Sequence, residues 1–180
     1  MKIRLVAAVT AVALAAVPAV AALPVGARAP DFTTQASLGG KRFDFSLEQA
    51  LKKGPVALYF YPAAFTKGCT IEAHDFAEAT DDFTRLGATV IGMSADDIAT
   101  LDKFSVAECR SKFPVASADK KLIDAYGVAF PNRPLSNRTT YVITPDHRII
   151  YAYTALDPAG HVAGALKAVS DWRAAHPKGH

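Results

Sequence analysis

The chain carries two cysteines, Cys69 and Cys109, and Cys69 stands where its sulfur would be a nucleophile. Its segment reads Tyr61-Pro62-Ala63-Ala64-Phe65-Thr66-Lys67-Gly68-Cys69-Thr70, between an apolar run of strand length and a stretch with helical periodicity. With Thr66 as the N-cap, Cys69 falls at the third helical position, where a capping box ordinarily carries Glu. A thiolate there meets the unpaired N–H groups of the first turn and the positive end of the helix dipole, and both favour the anion. Gly68 leaves the backbone beside the sulfur uncovered. Thr66 has a hydroxyl to offer, and Pro62 shields the site without adding a donor. Taken singly, these three are equally a turn glycine, a helix cap and a strand-ending proline.

The rest of the chain sets the context for this thiol. Met1 to Ala21 places Lys2 and Arg4 ahead of an uncharged run that closes on Ala19, Val20 and Ala21, the layout of a secretory signal peptide cut near Ala21 or Ala22. A retained membrane anchor is the competing reading. Against it stand the Ala-rich composition, Pro18 and the cleavage-like end. Removing Lys2 and Arg4 lowers the formal charge of +3 by two, which leaves no global field to attract nucleic acid or anionic lipid. An exported, oxidising setting allows Cys69 and Cys109 to form one structural disulfide, but two cysteines are too few for a disulfide scaffold, so a redox role competes.

The elements that must position Cys69 follow from periodicity. At 180 residues, 51% of them apolar and 21% charged, the chain suits one domain over residues 22–180, with a core of about 26–175. FTTQAS and KRFDFS around Gly39 and Gly40 predict a hairpin, and Ser46 to Lys52 a short helix. Pro55 to Tyr61 and Ala88 to Ser94 predict strands buried on both faces. The spacing of Phe76, Ala79, Phe83 and Leu86 predicts a helix from Thr66 to Leu86 between them, hence a parallel βαβ unit. A helix over Asp97 to Lys112 and a short one over Asp119 to Tyr126 follow. The strands Thr139 to Ile143 and Ile149 to Tyr153 then form a second hairpin, and a last helix over Gly160 to Ala174 has Asp157 as a possible cap. This is an α/β layout with the element order of a thioredoxin-like fold: a central mixed sheet flanked by helices, after an N-terminal hairpin.

Together Pro62, Thr66 and Cys69 spell P-x-x-x-T-x-x-C at the start of the first long helix after a central strand, and here the sequence resembles the peroxiredoxin family. GARAPDF (Gly26 to Phe32) looks like the family's start and NRTTYVITPDHRI (Asn137 to Ile149) like its late hairpin. The resemblance implies a thiol peroxidase with Cys69 as the peroxidatic nucleophile and Arg138 as the active-site arginine. The Cys69 thiolate would attack hydrogen peroxide or an organic hydroperoxide and become a sulfenic acid. No cofactor or metal is implied. The partners implied are the hydroperoxide and an external thiol reductant, either a thioredoxin-like protein or a small thiol. No nucleic acid and no stable membrane association is expected, and a monomer is favoured over a dimer.

Within the family the chain is similar to the bacterioferritin comigratory protein, or Q-type, branch. Many members of that branch carry a resolving cysteine five residues after the first, and here that position is His74. Cys109 then stands as the internal candidate for resolution, with a buried, inert thiol as the alternative. Glu72 matches an acidic position common in the branch and could orient its neighbours, and His74 is read as a half-exposed helix residue. Neither is counted as catalytic. Two other functions compete. A thioredoxin-like thiol:disulfide oxidoreductase would need C-x-x-C, and Glu72 fills the second position. A copper-binding thioredoxin-fold chaperone would need a second nearby thiol, and Ala73 stands there. An exported, periplasmic or secreted location is expected from the leader.

Overall fold

The computed structural model describes residues 21–177, so the expected leader, apart from Ala21, lies outside the described residues. Two strands open the fold, β1 (Thr33–Leu38) and β2 (Lys41–Ser46), paired antiparallel across the Gly39-Gly40 turn. Both glycines have positive φ, 57° and 76°, a conformation that favours residues without Cβ. Ser46 caps the short helix α1 (Leu47–Leu51), its hydroxyl accepting from the Gln49 N–H. The strand β3 (Val56–Phe60) is buried along its whole length. It leads into the long helix α2 (Lys67–Arg85), which returns to β4 (Thr89–Ser94).

β4 is followed by α3 (Ile98–Ala107), β5 (Val115–Ser117) and α4 (Lys120–Ala125). The chain closes with β6 (Thr139–Ile143), β7 (Ile149–Thr154) and α5 (His161–Ala175). The seven strands form one sheet in the order β2-β1-β5-β4-β3-β6-β7. β3, β4 and β5 run parallel, while β6 pairs antiparallel with β3 and β1 antiparallel with β5. The mixed α/β sheet expected from the sequence is therefore present.

Alternation along β3 shows how the two faces are filled. Val56, Leu58 and Phe60 join one buried cluster with Leu47 and Leu51 of α1, Ile123 of α4 and Tyr126 at its C-cap. Ala57 and Tyr59, continued by Tyr61, join the other with Phe76 and Phe83 of α2, Leu101 and Phe104 of α3, and Val169 of α5. Helices thus cover both faces, which is why β3 reads as an unbroken apolar run. Leu23 and Ala22 already pack on the first cluster, and the Leu23 N–H donates to Tyr141 Oη at 3.1 Å.

Three expectations need correction. β5 was not foreseen: at three residues it is too short to carry a period of two. It forms because Val115 and Ala116 fit between β4 and β1. The third helix ends at Ala107 and not at Lys112, because Arg110 and Ser111 take left-handed φ values of 51° and 55° that no α-helix accommodates. Finally, Asp157 does not cap α5. Its Oδ1 accepts from the Ala159 N–H, and the N-cap position is Gly160 at φ 89°.

Candidate active site

The site forms where β3 ends and α2 begins. Phe60 pairs with Thr139 across the β3–β6 ladder, so the next residue of one strand and the preceding residue of the other, Tyr61 and Arg138, emerge together at the same end of the sheet. The segment between β3 and α2 is then tied down from several sides. The Tyr61 N–H donates to Met93 O, and Ser136 Oγ donates to Tyr61 O at 2.7 Å. Asp96 Oδ2 accepts from the Ala64 N–H at 2.8 Å and from Ser94 Oγ at 2.7 Å. Phe65 turns the chain at φ 61°, with its ring edge-on to Phe104 at 5.2 Å. Pro62 is half-buried beside the turn.

Thr66 occupies the N-cap position with extended backbone, and Cys69 is the third residue of α2 as expected. The expected use of the Thr66 side chain is not what is seen: Oγ1 donates to Ala63 O at 3.0 Å and makes no cap hydrogen bond. The hydroxyl closes the preceding turn and does not contact the sulfur. Cys69 itself is 1% exposed, packed with Ala73, Phe76, Tyr59 and Tyr61 in the cluster between α2 and the sheet.

Arg138 arrives at this buried thiol from the start of β6 and uses all three nitrogens. Nη2 lies 3.4 Å from Cys69 Sγ, Nη1 pairs with Glu72 Oε2, and Nε donates to Leu156 O at 2.9 Å. A guanidinium forked in this way has a fixed plane and direction. Gly68 permits the approach, since a Cβ there would stand 3.0 Å from Arg138 Nη2. The glycine expected to leave the backbone beside the sulfur uncovered is thus the place where the arginine comes in.

Glu72, one turn beyond Cys69, is fully buried. Burial pushes its carboxyl up to about 8 despite the opposing pull of Arg138. Its second oxygen, Oε1, has no hydrogen-bond partner among the described residues and lies 3.6 Å from His161 Nδ1. His161, also fully buried, has Nδ1 2.8 Å from Thr140 Oγ1 and Nε2 3.0 Å from Ala155 O. Little in the sequence singles out His161, because its approach to Glu72 depends on how α5 docks. A histidine on the buried face of that helix was the available signal.

Cys109 lies just beyond the C-terminus of α3, wholly buried, in the same cluster as Cys69, and both thiols are free. Burial, and secondarily the neighbouring Glu108, pushes its thiol upward, so in this conformation it is held protonated. Its segment is tied to α2 by three side-chain contacts in succession. His74 Nε2 meets Glu108 Oε2 at 2.8 Å, Glu78 meets Arg110 at 3.3 Å, and Asp81 meets Lys112 at 3.5 Å. His74, expected as an ordinary half-exposed residue, is the first tie of this series. Among the described residues no group of three or more His, Cys, Asp or Glu is arranged to hold a metal ion.

Known proteins resemble this chain along most of its length. Residues 25–152 match the AhpC/TSA family. A putative peroxiredoxin bcp of Helicobacter pylori strain J99 is 32% identical over 155 residues, covering 82% of this chain and 98% of its own. Peroxiredoxin Bcp of Bacillus subtilis is 28% identical over 156 residues, covering 83% and 96%. The crystal structure of peroxidoxin BcpB from Mycobacterium tuberculosis superposes with a TM-score of 0.74 at 29% identity, covering 82% of this chain and 96% of the other. A thiol at the start of the first long helix, an arginine fixed against it and similarity along most of the sequence agree: the chain belongs to the AhpC/TSA family of peroxiredoxins.

Proposed function

We propose that Cys69 is the peroxidatic residue of a thiol peroxidase. The observation that carries this reading is the 3.4 Å approach of the Arg138 guanidinium to Cys69 Sγ at the first turn of α2. The guanidinium is placed to orient the sulfur and an incoming peroxide toward one another. The sulfur lone pair forms an S–O bond with the nearer peroxide oxygen while the O–O bond breaks. The departing oxygen takes up a proton and leaves as water or an alcohol. Sulfur is oxidised by two electrons and the peroxide reduced by two, giving sulfenic acid. Arg138 is placed to donate to the oxygen on which negative charge grows. Pro62 and the Thr66 turn shape the approach to the sulfur, with Thr66 acting through the backbone it fixes.

Cys109 is the resolving thiol in this reading. Its sulfur attacks the Cys69 sulfenic acid, the S–S bond forms and water leaves. An external thiol, a thioredoxin-like protein or a small thiol, then reduces the disulfide. A disulfide needs the two Cα atoms within about 7 Å. The Cys109 thiol is buried and protonated, so the segment after α3 must detach from α2 before the bond can form. We further infer export: the leader-like pattern from Met1 to Ala21 ends where Ala22 and Leu23 begin to pack on the domain. Periplasmic or secreted location follows.

The test is peroxide consumption with a thiol reductant by wild type and Cys69→Ser. Turnover in wild type and none in the variant is expected. Equal consumption by both overturns the assignment. An oxidoreductase or copper-chaperone role would instead show as disulfide exchange or copper binding that survives without peroxide turnover.

A further inference from the structure

His161 is buried without being an ordinary core residue. It reaches the site from the first residue of α5, and each polar group around it has a defined place. Nε2 lies 3.0 Å from Ala155 O, which can only accept, so this nitrogen carries a hydrogen. Nδ1 faces Thr140 Oγ1 at 2.8 Å and Glu72 Oε1 at 3.6 Å. The Tyr153 ring stands edge-on to the imidazole at 4.7 Å, and Asp157 and Arg138 are the remaining charged groups that act on it. Glu72 Oε1 thus has the imidazole as the polar ring facing it, while Oε2 is held by Arg138.

Charge balance gives this arrangement a purpose. Glu72, His161 and Cys69 are each at least 99% buried, and Arg138 is 4% exposed. A Cys69 thiolate with Arg138 is neutral only while Glu72 and His161 together retain one proton. If that proton is lost, the thiolate and a carboxylate compete for a single guanidinium in a place with little water to compensate. Burial pushes Glu72 up to about 8 and pushes His161 below its ordinary value, so near neutrality the proton rests on the carboxyl side.

We propose that His161 is a positioning residue for Cys69: it faces the free oxygen of Glu72, keeps one proton shared with that carboxyl, and so decides whether Arg138 serves the sulfur or the carboxylate. The proposal rests on Cys69 as the reacting thiol, and it is read without peroxide. With Cys109→Ser as the background, the rate of Cys69 alkylation by iodoacetamide is followed against pH. Two inflections are expected, one from the thiol and one from the shared proton, the second absent in Glu72→Gln. His161→Phe removes the acceptor that shares the proton with Oε1, so the carboxyl loses it more readily and the second inflection moves down by about one pH unit. His161→Asn keeps an amide carbonyl that can accept from Oε1 and moves it less. An upward shift in His161→Phe, or a second inflection that persists in Glu72→Gln, overturns the proposal. A single inflection in the Cys109→Ser background with Glu72 and His161 unchanged overturns it even if neither His161 variant folds. Normal alkylation profiles without peroxide turnover would count against the peroxidase reading alone.

Discussion

Arg138 holds its Nη2 3.4 Å from Cys69 Sγ, and the same guanidinium is paired through Nη1 with Glu72. One cation therefore spans a thiol and a carboxyl on the same face of α2, and whatever moves Arg138 changes both.

Removing this cation should cost catalysis heavily. Arg138→Met is expected to slow peroxide reduction by about 10²–10³-fold, the range for deleting one donor to developing negative charge. Arg138→Lys should recover only part of the loss, because an ammonium cannot reach sulfur, carboxylate and Leu156 O together. Stopped-flow measurement of Cys69 oxidation checks both variants.

Gly68→Ala probes the same contact with a single methyl group. The new Cβ would stand 3.0 Å from Arg138 Nη2, so the guanidinium must shift. A misplacement of this kind can cost up to about 10²-fold in rate. Alanine suits the helix better than glycine, so thermal stability should not fall in proportion. A rate equal to that of wild type would show that the Arg138 position is unimportant.

Resolution should be visible by mass. Stoichiometric peroxide is expected to remove about 2 Da from wild type, the two hydrogens given up to a disulfide, and to leave Cys109→Ser as a sulfenic acid. Sulfenic adducts at Cys69 in both proteins would exclude Cys109 as the resolving thiol.

The three side-chain ties between α2 and the segment after α3 should restrain that step. In Glu108→Gln the tie to His74 is weakened and the disulfide should form up to about fivefold faster, the factor that corresponds to an exposed pair. Quenched-flow trapping of free thiols after a peroxide pulse gives the rate. Slower disulfide formation would mean that the pairs guide the segment and do not restrain it.

Glu72 gives a pH dependence of stability with a defined sign. Its carboxyl is raised from 4.5 to about 8 in the folded protein, so between these values the unfolded chain has released a proton that the folded chain keeps. Stability from this group is complete below the unfolded value and is lost as pH rises through the folded one. Urea unfolding at several pH values should show a flatter decline in Glu72→Gln than in wild type across this window. An unchanged slope would mean that Glu72 is ionised in the folded state.

The sequence alone determined the local parts. The apolar run of β3, the periodicity of α2 and the short-range spacing of Pro62, Thr66 and Cys69 depend on neighbouring residues, and they placed the thiol at a helix start. Arg138 was legible only through the family resemblance, since nothing near it in sequence marks an arginine as buried. Tertiary structure decided the rest. The pairing of Phe60 with Thr139 brings Arg138 to Cys69, and the docking of α5 brings His161 to Glu72. The left-handed turn at Arg110 and Ser111 ends α3 before Cys109, a break that the helical pattern of the sequence did not announce. The Thr66 hydroxyl closes a turn, although its position suggested a role at the sulfur. The physical reason for the first two is that helix and strand periods report which face of an element is apolar, whereas contacts between distant polar groups depend on strand register and helix docking; the other two are local backbone and turn choices to which an apolar period is blind.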